Sequence, residues 1–164
     1  MPSASRRRAS NVSRIFQLSR SAGGVPKLAV REAHADMLGL EGDGHAHPKI
    51  HGGPERALCL YSLEVIARLQ AEGHPIWPGS TGENVTIVGY EWASLAAGAR
   101  LALGPEVIVE LTRIASPCKQ IIESFADRDS KRLAAPELGR WYARVLRPGL
   151  LRVGMSVGAI VHRA

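Results

Sequence analysis

Aromatic side chains make up only 5% of this chain, so small and aliphatic residues must fill whatever core it has. Two cysteines among 164 residues exclude a disulfide scaffold. No apolar run approaches the roughly 20 residues that span a membrane as a helix. None of roughly 7–15 follows the early arginines as an export signal would. The expected setting is therefore cytoplasmic, with both thiols reduced and no membrane partner. What is present is ordinary for a folding chain: 45% hydrophobic and 22% charged residues, with 17 glycines and 10 prolines that favour turns over a plain helical bundle. The length suits one domain and is short for two.

Acids are absent from the first 31 residues, where Arg6, Arg7, Arg8, Arg14, Arg20, Lys27 and Arg31 lie. The net charge of +6 is thus local, because the remaining 14 basic and 15 acidic residues nearly cancel. A basic face spread over the domain, as nucleic-acid binding requires, is not supported; a short basic arm is. Residues 1–11 are expected to be a flexible, solvated arm, and 12–164 a single domain. The arm's Ser- and Arg-rich composition also matches a mitochondrial transit peptide, but about ten residues before the first strand are few for that role.

Residues 12–18 and 28–34 read as strands around Gly23-Gly24-Val25-Pro26. From Gly39 to Pro54 the apolar pattern stops in a long Gly- and His-rich loop of the functional kind. Residues 56–61 form a buried strand, and Ser62 caps a helix over 63–72 that ends at Gly73. After the loop from Pro75 to Glu83 come a strand at 84–88 and a hairpin of 100–103 with 107–112. Ser116-Pro117 predicts a helix to about residue 126, the spacing over 136–145 predicts another, and 150–161 reads as a bent strand pair. The whole is mainly β with short helices, an α+β domain built as a small barrel.

Cys118 draws attention first. With Ser116 as cap and Pro117 as first helical residue, it falls in a helix's first turn, where free N–H groups favour a thiolate able to carry sulfur or bind metal. The alternative is a small buried hydrophobe, the reading that suits Cys59 inside Ala57-Leu58-Cys59-Leu60-Tyr61. His45, His47 and His51 could serve a metal such as zinc, but no carboxylate completes a zinc pattern, and His45 and His47 read as surface residues. His51 differs because Gly52-Gly53 lets the backbone approach a ligand. Glu83 and Asn84 follow Gly82 at a strand's mouth, either as site residues or as an ordinary turn. Lys27 and Arg56, beside Gly/Pro loops, are suited to gripping an anion.

These stretches occur together in a familiar order. Gly23-Gly24-Val25-Pro26-Lys27, Gly39-Leu40-Glu41-Gly42-Asp43, His51-Gly52-Gly53-Pro54-Glu55-Arg56-Ala57, Pro78-Gly79-Ser80-Thr81-Gly82-Glu83-Asn84 and Pro117-Cys118 closely resemble the MOSC domain, named for the C-terminal domain of molybdenum-cofactor sulfurase. The resemblance runs from about residue 12 to 161. It implies a barrel of strongly bent strands whose one Cys, here Cys118, carries persulfide sulfur or ligates molybdenum. It also implies a cofactor site of Lys27, Asp43, His51, Arg56, Glu83, Asn84 and Thr112, with molybdopterin as the cofactor.

The first functional expectation is accordingly a stand-alone MOSC protein holding molybdenum cofactor or persulfide sulfur on Cys118. The second is a molybdenum-dependent reductase of N-hydroxylated compounds such as purines, with an external electron donor, since no CxxC or iron–sulfur pattern occurs. The third is a small basic-armed barrel that binds nucleic acid. The chain carries no PLP-binding desulfurase domain, so a cysteine desulfurase or an electron-transfer protein is the expected partner.

Overall fold

The first strand, β1 (Arg14–Arg20), buries Ile15, Leu18 and Ser19, and a bulge between Ile15 and Gln17 breaks its strict alternation. The computed structural model describes residues 12–44 and 52–161. The arm at 1–11 and His45, His47 and His51 lie outside them. Three short strands follow: β2 (Leu28–Val30), β3 (Glu32–Asp36) and β4 (Gly39–Leu40). A 3₁₀ turn at Pro54–Arg56 leads into β5 (Leu58–Ser62), all five of whose residues are buried.

The one α-helix among the described residues is α1 (Leu63–Ala71), one residue shorter than its spacing predicts. Val65 N–H donates to the Ser62 hydroxyl (3.2 Å), Val65, Ile66 and Leu69 face the core, and Gly73 at φ 96° ends the helix. It connects β5 to its parallel neighbour β6 (Val85–Val88). The expected hairpin of β7 (Arg100–Leu103) and β8 (Val107–Ile114) forms, with Leu103 opposite Val107. β9 (Trp141–Arg147), β10 (Gly149–Arg152) and β11 (Val157–Ala159) complete the chain.

The strands make an eight-stranded mixed sheet in the order β11-β7-β8-β9-β5-β6-β1-β2 and a three-stranded sheet β10-β3-β4. The expected mainly β class is therefore seen, but the expected barrel is not regularly closed. Gly154, at φ 93°, turns the chain before β11, so the return to β1 is made by single backbone bonds such as Ile15 N–H to Met155 O and Val157 N–H to Ser13 O, both 2.8 Å. No helix of the described residues is long and apolar enough to cross a membrane.

Two predicted helices are corrected. Residues 136–145 contain β9, because Trp141, Tyr142, Ala143 and Val145 are buried at the sheet's centre. Leu138, Trp141, Tyr142 and Val145 fall at helical spacing, yet a strand buried on both faces has no polar alternation to announce it. The helix expected from Ser116 is only a 3₁₀ stretch at Lys119–Ser124, with Cys118 preceding it in extended conformation and no side-chain cap. Ala115 N–H donates to Arg140 O (2.8 Å), continuing the β8–β9 ladder past its regular end and keeping 115–118 extended.

Candidate functional site

Cys118 lines a cleft at the end of β8 and β9 with Arg56, Cys59, Asn84, Arg140 and Tyr142. Its thiol is half-buried, on a segment held from both sides. Beyond the Ala115 bond, Arg140 Nη2 donates to Ser116 O (3.2 Å) and Nη1 to Thr81 O. Arg140 is itself fixed by the core. Tyr61 Oη donates to Leu138 O (2.7 Å) and Trp92 Nε1 to Gly139 O (2.8 Å), anchoring the backbone just before it. Only 5% exposed, Arg140 has a buried Nε with no hydrogen-bond partner. A buried donor left unpaired costs about 1–3 kcal/mol, a cost the rest of the fold must offset.

The floor of the cleft is a polar knot. Lys27 Nζ meets Asp43 Oδ1 at 2.6 Å, their side chains only 6% and 3% exposed. Asp43 also accepts from Ser21 N–H (3.0 Å) and Asn84 Nδ2 (2.8 Å). Asn84 Nδ2 reaches Ser19 O (3.3 Å), and its Oδ1 accepts from Cys59 N–H (3.0 Å). β1, β5, β6 and the 43–44 loop are thus fastened at one point. Gly79, at φ 94°, presses the 78–83 loop against Lys27: a Cβ there would lie 2.3 Å from Lys27 O.

The structure brings together four of the eight sequence-predicted residues, Lys27, Arg56, Asn84 and Cys118, along this cleft, with Asp43 bonded to two of them. The roles shift, however. Asp43 and both donors of Asn84 are engaged within the protein, so they brace the site. Glu83 points into its own loop, accepting from Gly79 N–H and Thr81 Oγ1, both at 2.6 Å. Thr112 Oγ1 lies 2.7 Å from Glu55 O and 3.2 Å from Tyr142 O, tying the turn that bears Arg56 to the sheet. Neither Glu83 nor Thr112 lines the cleft. His51 lies outside the described residues. Sequence reasoning missed Arg140 and Tyr142, which no local motif marks, and read Cys59 as core alone.

Burial governs the electrostatics. It pushes the Cys59 thiol up to about 12 and the Tyr142 phenol to about 12, with Arg140 the largest opposing influence on each. Burial likewise raises Glu83, against the bonds from Gly79 and Thr81 that favour its carboxylate. Arg56 and Arg113 stand over the Tyr142 ring, their guanidinium carbons 5.8 and 6.0 Å from its centroid. The site therefore combines one accessible thiol, one inert thiol and guanidinium groups around a phenol.

Residues 47–158 match the family model of the MOSC domain. The chain belongs to the MOSC domain family. Among curated relatives, this MOSC domain is 33% identical over 118 residues to protein YiiM of Escherichia coli (strain K12), covering 68% of the chain and 52% of YiiM. It is 28% identical over 129 residues to the uncharacterized protein YflK of Bacillus subtilis (strain 168), covering 72% of the chain and 54% of YflK. The chain thus spans about half the length of these curated relatives. The fold is shared with solved structures. YiiM from Geobacillus stearothermophilus superposes with TM-score 0.74 at 19% identity, over 91% of this chain and 75% of that one. YuaD from Bacillus subtilis gives 0.70 at 22%, over 89% and 94%.

Proposed function

We propose that this MOSC domain holds a molybdenum cofactor, with the Cys118 sulfur as the protein ligand to the metal. The observation that carries the reading is a half-buried thiol set in one cleft with three cationic side chains, Lys27, Arg56 and Arg140. The residue set fits the group: one thiol for the metal and cationic side chains to offset its anionic oxygens. Arg56, at the mouth, would donate to such an oxygen, while Arg140 adds positive charge and Lys27, Asp43 and Asn84 keep the cleft floor rigid. When bound, the cofactor supplies an oxidation–reduction centre. The activity this leads to is reduction of an N-hydroxylated compound, which consumes two electrons from an external donor protein and two protons and releases water.

The exposure of the Cys118 sulfur also favours a second reading, a persulfide carrier. The Cys118 thiolate attacks the outer sulfur of a donor persulfide, the donor leaves as its thiolate, and the sulfur stays on Cys118 beside the Arg140 charge. Protein isolated from a cofactor-competent host, assayed for metals and for labile sulfur, tests both. Stoichiometric molybdenum lost in Cys118→Ala supports the first reading, and labile sulfur lost in the same variant supports the second. A folded Ala variant that retains either group, or a wild type free of both, would overturn the assignment.

A further inference from the structure

The loop from Pro75 to Glu83 makes a tight turn in which Trp77 N–H donates to Ser80 Oγ (3.0 Å) and Ser80 N–H to Trp77 O (2.9 Å). The Trp77 backbone is thereby fixed, yet its side chain is 42% exposed. Near it lies a groove of about 660 Å³ that shares no lining residue with the Cys118 cleft. The groove opens where the chain bends at Arg31 from β2 into β3, and Phe16, Ala29, Val30 and Val153 supply its apolar lining. Two bonds set Trp77 and the groove side by side. Gln17, which lines the groove, donates from Nε2 to Pro78 O (3.0 Å). Lys27 N–H donates to Gly79 O (2.9 Å) just before Leu28, itself 63% exposed.

We propose that this face joins two copies of the chain about a two-fold axis, the Trp77 indole of each entering the groove of the other. A knob and a hole on one surface are what a self-complementary contact needs, and tryptophan is among the side chains that anchor such contacts. The charges agree. Arg31, Glu32 and Arg152 also line the groove, Glu32 and Arg152 paired at 3.0 Å and Arg31 without a carboxylate partner among the described residues. A second copy brings both signs to this mixed set, whereas a partner of one sign would meet its like. The chain's own arm is a poor occupant. Residues 1–11 hold no large apolar residue but Met1, and they carry three arginines that Arg31 and Arg152 repel. The loop that presents Trp77 also lends Thr81 and Gly82 to the Cys118 cleft, so the contact would brace one wall of that cleft. The proposal does not rest on the cofactor reading.

Sedimentation velocity over about a hundredfold range of protein concentration tests it, and the wild type should pass from monomer to dimer and no further. Trp77→Ala removes the knob, and Val153→Arg fills the hole while keeping the backbone bond from residue 153 to Arg31 O. Each should weaken the dimer by about a thousandfold, since the loss of an aromatic anchor, about thirtyfold, is felt at both symmetric contacts. Both altered side chains are exposed, so each variant should keep the melting temperature of monomeric wild type. Mixed in equal amounts, the variants regain one of the two contacts, because one copy keeps its groove and the other its indole. The mixture should therefore associate about thirtyfold more tightly than either variant alone. Leu38→Ser, at the exposed turn between β3 and β4 and outside the groove, should associate as wild type. A wild type monomeric throughout, an unchanged dimer in either variant, a mixture no tighter than its components, or growth into open-ended species would overturn the proposal.

Discussion

Alkylating the native protein near pH 7 should modify Cys118 and spare Cys59, for a reason that can be put in numbers. Burial carries the Cys59 thiol from 9.0 to about 12. At pH 7 an ordinary thiol is ionised to about one part in a hundred, and one at about 12 to about one part in 100,000, a thousandfold deficit of the reacting species. The more basic thiolate is the better nucleophile by roughly 0.4–0.5 of a log unit per pKa unit, which restores about twentyfold. Ionisation alone therefore slows Cys59 by about fiftyfold against a free peptide thiol. Access slows it further, since Cys59 is only 6% exposed and packs against Ala115 and Tyr142. The assay is iodoacetamide labelling under native conditions, with each cysteine peptide quantified by mass spectrometry over time. In urea the two peptides should label at similar rates, because the difference belongs to the fold. Native labelling of Cys59 as fast as Cys118 would refute the argument.

Two further perturbations test the bracing of the site. Lys27→Met would leave the Asp43 carboxylate buried without its cation, and breaking one side of such a pair costs about 3–5 kcal/mol; a urea-unfolding loss well below that would mean that the polar knot contributes little. Glu83→Gln should be tolerated, since a carboxamide can accept from Gly79 N–H and donate to Thr81 Oγ1. Because burial raises Glu83 above 4.5, the unfolded chain loses this proton first, and wild-type stability falls as pH rises from 4.5 through the folded value. The Gln variant should therefore gain on wild type between pH 4 and pH 7, as read by urea midpoints; a wild type that gains on the variant over that range would contradict the burial argument.

Much of the site's framework was legible in the sequence because its parts are local. Ser62 and Gly73 bound a helix whose apolar spacing is visible without the fold, and β7 and β8 pair across the three-residue turn that the Gly104-Pro105-Glu106 break marks. The motif order identified the family, and four of its predicted residues do line one cleft. What failed was reasoning from periodicity where the environment was not periodic. β9, buried on both faces, imitated a helix. Ser116 and Pro117 have the types of a cap and a first turn, yet the ladder bond from Ala115 to Arg140 outranks them, since an extended chain already satisfies those backbone groups.

The amino-acid order by itself determined the family and the mainly β composition of the fold. Those properties follow from residue type and near-neighbour spacing. The working surroundings of Cys118 were decided only by tertiary structure. Arg140 and Tyr142, more than twenty residues away in sequence, reach it because β8 and β9 pair. Asp43 and Asn84 become braces because four segments converge on them. Glu83 and Thr112 turn from candidate ligands into loop and sheet ties because their hydrogen-bonding atoms find partners within the chain first. Which polar groups remain free for a ligand is set by the competition for every donor and acceptor in the folded chain, and that competition has no signature in a local stretch of residues.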